Sequence, residues 1–238
     1  MGEYKLDSYP TDDALARAAA SAWLDEIEAA ARAETTYSVA LSGGRIVKKF
    51  YLAVMTEGAR RKTSFKHVRF FWSDERCVPP EDAESNYHLA VEFLFDPHDV
   101  KHDQVYRIRG EEPARAAREI SEEICSVAFT NAAGQPVLDL VFLGMGEDGH
   151  VASLFPGEPE EVMSSPEVYR TVMAVKPPPQ RVTLGYPAIA AAKQVWVLAS
   201  GEGKGGALRE SLRPGGKTPL ARVLAARDQT RIFSDISL

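Results

Sequence analysis

The stretch from Asp139 to Gly157 restricts the choice of fold more than any other part of the chain. Leu140, Val141, Phe142 and Leu143 form an unbroken apolar run that Gly144 and Gly146 stop. A strand with no polar alternation is buried on both faces, as in a parallel sheet covered by helices. Gly144, Gly146 and Gly149 let the following backbone take positive φ and come close to a ligand. In open parallel sheets ligands bind beyond the carboxyl ends of the strands, so Asp148 and His150 stand at such a mouth.

The rest of the chain repeats this grammar. Thr11 caps a helix whose first turn holds Asp12 and Asp13, and Leu15, Ala19, Trp23, Ile27 and Ala30 recur at helical spacing to about Ala33. Tyr37 to Leu41 reads as a strand, Ser42-Gly43-Gly44 as its exit turn and Ile46 to Glu57 as a helix, the opening of a β-α-β unit. Val68 to Trp72 is a second strand with the charged exit Ser73-Asp74-Glu75-Arg76. Ser85 to Phe95 and Pro113 to Phe129 read as helices. Val172 to Val175 and Arg181 to Leu184 flank a stiff proline connection, Lys176 to Pro179. Pro187 starts a short helix, Gln194 to Ala199 is a further strand, and Gly201 to Gly206 leads into a helix near Leu208. The expected class is α/β, one domain over residues 1–238.

Composition narrows the function. The chain has 238 residues, 45% of them apolar, enough for a core without staples. Cys77 and Cys125 stand far apart, which disfavours a disulfide framework or zinc knuckle and suits a reducing compartment. No run approaches the roughly 18 apolar residues of a membrane span, and the N-terminus lacks a basic, apolar leader. The expectation is a cytoplasmic protein. A formal charge of −6 disfavours generic affinity for nucleic acid or acidic membranes. Arg60, Arg61 and Lys62, the only basic triplet, read as a solvated helix end.

Four strand exits carry groups with chemistry. Ser42, Gly43, Gly44 and Arg45 lie at a helix N-terminus, where free N–H groups and the helix dipole favour phosphate. Asp74, Glu75 and Arg76 follow the second strand, and Asp148 and His150 the third. Arg181 and Lys204 are placed to bind an anion. An unperturbed imidazole titrates near about 6.5, so His150 is the best general base. Glu147, Asp148 and His150 lack a second histidine or cysteine at ligand spacing, so no metal is expected. No serine elbow occurs, and Ser153 reads as a packing residue.

These blocks resemble the 6-phosphogluconolactonases, within the wider family that includes glucosamine-6-phosphate deaminases. The likeness runs through Leu41 to Gly44, Trp72 to Arg76 with Ser85-Asn86-Tyr87, Gly144 to His150 onward to Gly157, Arg181 to Leu184, and Gly203-Lys204. The resemblance implies a Rossmann-like, doubly wound, mainly parallel sheet with helices on both faces. It implies hydrolysis of 6-phospho-D-glucono-1,5-lactone to 6-phosphogluconate, in the pentose phosphate pathway, without metal or organic cofactor. By the same resemblance His150, Asp148, Arg76 and Asp74 are the catalytic residues. His150 draws a proton from water, Asp148 orients the imidazole or binds a sugar hydroxyl, and Arg76 stabilises the oxyanion. Ser42, Gly43, Gly44, Arg45, Arg181 and Lys204 bind the substrate, with Gly43, Gly44, Arg181 and Lys204 holding its phosphate. The expected partner is a phosphorylated sugar lactone, and the expected state is a monomer or weak homo-oligomer.

One departure stands out. Family members usually follow Ser-Gly-Gly with Ser-Thr-Pro, whereas this chain has Arg45-Ile46-Val47, losing two hydroxyl donors and gaining a charged fork suited to phosphate. Two rivals remain, an amino-sugar-phosphate deaminase or isomerase and a sugar-phosphate-binding sensor. The deaminase pattern carries a further carboxylate after the histidine block; here Ser153-Leu154-Phe155 stands instead.

Overall fold

The apolar stripe of Leu15, Ala19, Trp23 and Ile27 is the buried face of α1 (Asp12–Arg32) in a computed structural model that describes residues 2–238. Thr11 caps that helix, its Oγ1 accepting from the Ala14 N–H at 3.1 Å. Trp23 then meets Phe50 of α2 (Arg45–Arg61) and Phe142 of the sheet, with ring centroids 5.5 and 5.3 Å apart. Arg61, one of the basic triplet at the end of α2, ties back to α1 through Ser21 and Asp25.

Six strands make one parallel sheet: β1 (Glu3–Ser8), β2 (Tyr37–Leu41), β3 (Val68–Trp72), β5 (Leu140–Gly144), β8 (Gln194–Ala199) and β9 (Gln229–Ser234). Their order is β1-β9-β8-β5-β2-β3, and helices cover both faces, so the expected Rossmann-like architecture holds. The chain steps outward from β2 to β3, returns to lay β5 beside β2, then steps the other way. The crevice above β2 and β5 is therefore the topological switch point. There the ladder pairs only Val39 with Leu140 and Ala40 with Val141. Beyond it the Ser42 hydroxyl takes over as acceptor for the Gly144 N–H at 3.2 Å.

Three corrections to the expected layout follow. Asp74-Glu75-Arg76 is not a free exit loop; it is β4 (Asp74–Arg76), which pairs antiparallel with β7 (Gln180–Leu184) in a second, three-stranded sheet, β4-β7-β6. β6 is Tyr169–Met173, earlier than Val172 to Val175, because Tyr169 pairs with Leu184. β1, β9 and a C-terminal helix, α8 (Pro219–Ala225), were not anticipated. The remaining helices are α3 (Asn86–Ala90), which continues as a π turn over Val91–Phe95, α4 (Pro113–Val127), α5 (Glu160–Met163), α6 (Tyr186–Ala191) and α7 (Gly205–Leu212). Among the described residues no helix is long and apolar enough to cross a membrane.

Candidate active site

The exit of β5 folds back on itself so that its histidine meets its aspartate. The Gly146 N–H donates to the His150 carbonyl at 2.9 Å, and Gly149, at φ 81°, closes the turn onto the Gly146 carbonyl at 3.1 Å. A side chain at Gly146 would put its Cβ 2.1 Å from the His150 ring, so glycine there makes room for the imidazole. His150 Nδ1 lies 2.6 Å from Asp148 Oδ1. The carboxylate accepts, so Nδ1 carries the proton and the Nε2 lone pair is free. Partial burial raises the Asp148 carboxyl, but the His150 backbone N–H, the imidazole's charge and its ring N–H outweigh it and leave the carboxyl below its usual range. Phe155 packs on the imidazole with centroids 5.0 Å apart.

His150 opens on a cleft of about 510 Å³ at the switch point. Ser42, Gly43, Gly44 and Arg45 line it from the exit of β2 and the start of α2, Asp74 and Arg76 from β4, Arg181 from β7, and Lys204 from the exit of β8. Nine of the ten residues expected at the site thus share one cavity, and Asp148 touches it through His150.

The second sheet brings buried charge to this cleft. Asp74 is 5% exposed, and its carboxylate accepts from Ser153 Oγ at 2.6 Å and Asn86 Nδ2 at 3.3 Å. Glu75, facing away from Asp74 along β4, accepts from the N–H groups of Arg76, Asn86 and Tyr87 and from Ser85 Oγ. Burial still pushes its carboxyl up to about 7 against the pull of those N–H groups, and the negative charge of Asp74 adds to the rise. Asn86, fixed by Glu75 and Asp74, sits where a Cβ on Gly43 would come within 1.8 Å, so only glycine lets the β2 exit pass.

Cations gather in two pairs. Arg181 lies beside Arg76: burial lowers the Arg181 guanidinium, the charge of Arg76 lowers it further, and Asp74, Glu84 and Glu75 oppose them. Its Nε donates to the Pro178 carbonyl at 3.2 Å, and its guanidinium stands 6.0 Å from the Phe155 ring centroid. Arg76 donates through Nη1 to the Glu84 carbonyl at 2.6 Å, while its buried Nε has no protein partner. The other pair is Lys204 with Arg45. Burial lowers the Lys204 ammonium, the charge of Arg45 adds to this, and Glu147 and Asp235 oppose. Among the described residues no group of three or more His, Cys, Asp or Glu converges to hold a metal ion.

A family model described as glucosamine-6-phosphate isomerases/6-phosphogluconolactonase matches residues 10–232. The chain belongs to this family. It is 39% identical over 146 residues to the 6-phosphogluconolactonase of Treponema pallidum, a match spanning 61% of this chain and 60% of that protein. The 6-phosphogluconolactonase of Streptomyces coelicolor is 34% identical over 91% of this chain and 85% of its own length. The structure of 6-phosphogluconolactonase from Trypanosoma brucei superposes with a TM-score of 0.86 at 29% identity, over 98% of this chain and 97% of that one.

Within the family framework, two contributors to the site escaped the sequence reading. Ser153, read as a packing residue, is fully buried and anchors Asp74. Asn86, quoted only as part of a block, links β4 to the β2 exit. A polar residue inside an otherwise buried stretch, as Ser153 is between Ala152 and Leu154, was the available signal.

Proposed function

We propose that the protein hydrolyses 6-phospho-D-glucono-1,5-lactone to 6-phosphogluconate, with His150 as the general base. The observation that carries this reading is the Asp148-oriented imidazole opening on a cleft lined by two pairs of cations. His150 Nε2 takes a proton from water as its oxygen bonds to the lactone carbonyl carbon. Charge grows on the carbonyl oxygen facing Arg76, whose guanidinium supplies a donor at the wall of the cleft; one such donor contributes about 3 kcal/mol. The intermediate then collapses: the bond from that carbon to the ring oxygen breaks, and the imidazolium returns its proton to the departing oxygen. Asp148 keeps Nδ1 protonated throughout, and Asp74 holds the Arg76 and Arg181 side of the cleft in charge balance.

The phosphate takes the turn at Ser42, Gly43 and Gly44, where Arg45 and Lys204 supply its countercharge. Arg181, grouped by the sequence with the phosphate ligands, keeps company with Arg76 and in this scheme serves the carbonyl end and the adjoining hydroxyls. Remote binding of the phosphate positions the ring for attack. Phe155, where an amino-sugar deaminase would need another carboxylate, shields the imidazole and supports hydrolysis over that alternative. All these groups come from one chain acting as one domain, so a single copy suffices. Two free cysteines suit a reducing, cytoplasmic setting.

The test is hydrolysis of phosphorylated and unphosphorylated gluconolactone, corrected for the spontaneous reaction, with wild type and His150→Asn. Enzymatic turnover of the phosphorylated lactone that vanishes in the variant, with binding of 6-phosphogluconate retained, is the expected result. Binding without turnover in the wild type would make the protein a sensor instead.

A further inference from the structure

Lys204 has a demanding position and nothing to hold it by its own side chain. It lines the cleft, and burial, Arg45, Glu147 and Asp235 are its only resolved influences, with no hydrogen bond to its ammonium among the described residues. Its direction therefore comes from the backbone that carries it. That backbone leaves β8 through Ser200 and Gly201, which also line the cleft. Gly201 has φ 108° and ψ 133°, and a single tight turn, Lys204 N–H to Gly201 carbonyl at 3.0 Å, follows. Fixing Gly201 fixes Lys204.

What fixes Gly201 is a side chain that follows β9. Asp235 Oδ1 accepts from the Gly201 N–H at 3.0 Å, and Oδ2 accepts from Ser200 Oγ at 2.8 Å. The segment beyond is held in turn. Ser234 Oγ accepts from the Ile236 N–H at 3.0 Å, Ile236 packs 3.4 Å from where Gly205 would carry a Cβ, and Arg209 donates to the Ser237 carbonyl at 3.3 Å. Glu147 faces the same turn from the β5 exit, 3.4 Å from the corresponding point on Gly203.

We propose that Asp235 is a positioning residue for phosphate binding, clamping the Ser200–Lys204 turn so that Lys204 meets the phosphate. This rests on the reading that Lys204 grips the phosphate. Asp235 acts twice: its two oxygens set the turn, and its charge, with that of Glu147, offsets the effect of burial and of Arg45 on the Lys204 ammonium. Protein stability alone does not require the charge, because an amide accepts from Gly201 and donates to Ser200 in the same geometry.

The experiment compares wild type, Lys204→Ala, Asp235→Ala and Asp235→Asn. Kinetics use both lactones, and binding of 6-phosphogluconate is measured by calorimetry from neutral to alkaline pH. Lys204→Ala raises KM for the phosphorylated lactone by about 10- to 100-fold, the value of a charge-assisted hydrogen bond. Asp235→Ala raises the same KM by about tenfold with little change in kcat or in turnover of the unphosphorylated lactone. Asp235→Asn costs less affinity at neutral pH but moves the alkaline limit of binding to lower pH, a shift that a purely structural role would not produce. Asp235 variants that bind like wild type while Lys204→Ala is impaired overturn the proposal and leave the phosphate reading intact. Equal losses for both lactones, or an unmoved alkaline limit in Asp235→Asn, also overturn it. An unaffected Lys204→Ala overturns the phosphate reading itself. If Asp235→Ala does not fold, Asp235→Asn decides through its pH limit.

Discussion

The exit of β5 and the three-stranded sheet face each other across one cleft but are built on opposite principles. The β5 exit is local and wet: His150 and Asp148 are two residues apart, held by glycine turns, with side chains 29% and 52% exposed. The three-stranded sheet is nonlocal and dry. Asp74, Glu75 and Arg181 are each below a tenth exposed, and Asp74 is pinned by Ser153, 79 positions away. The proposed general base keeps contact with water. Asp74 and Arg181, which supply charge to the cleft, are buried, where charge acts most strongly and where leaving a polar atom unsatisfied costs most.

This contrast predicts that substitutions on the two sides fail differently. The largest effect belongs to His150→Asn, which loses about 10²- to 10⁴-fold in kcat, the usual range for removing a general base. Its urea midpoint stays near that of wild type, since no buried partner is orphaned. Asp148→Asn follows the same pattern, losing about 10²-fold or more in kcat through loss of the correct tautomer, with thermal denaturation unchanged. A large stability loss in either variant would erase the distinction between the two sides.

Ser153→Ala reverses the order. It leaves a buried Asp74 oxygen without its 2.6 Å donor and destabilises the fold by about 1–3 kcal/mol in urea titrations, with activity falling only as Asp74 shifts. The same side predicts a pH dependence. Burial raises the Glu75 carboxyl to about 7 in the folded protein, above its unfolded value. Between these values the folded state holds a proton that the unfolded state has released, so stability falls as pH rises through this window and levels off above it. Glu75→Gln removes that slope, which denaturation at several pH values will register. The smallest effect is expected from Arg45→Ala: about tenfold weaker binding of the phosphorylated lactone and none for the unphosphorylated one. Equal losses for both would remove Arg45 from the phosphate site.

The same contrast explains what the sequence made legible. The β5 exit was readable because its signals are adjacent: an apolar run, glycines, then Asp148 and His150. The strand exits of the parallel sheet followed the same rule, which placed Ser42 to Arg45 and Lys204. β4 was not readable, because three residues carry no periodicity and their partner, β7, lies about a hundred positions on. Its charges looked like a loop for that reason. β1 was hidden by its place at the sheet edge, where Glu3, Tyr4 and Lys5 remain exposed and show no apolar signature. Ser153 carries its role only through a partner on another sheet, and no local pattern records that.

The early end of the ladder between β2 and β5 has a consequence for what this cleft accepts. The two loops that it releases hang from neighbouring strands, and strands in a sheet stand about 4.8 Å apart whatever side chains they carry. In the proposed reaction, the distance from the anionic tail's seat to the attacking base is thus set by the framework, as a fixed gauge for the carbon chain joining phosphate to ester. Loop mutations can change how firmly each end is held, but changing the accepted length would take a shift in the sheet itself.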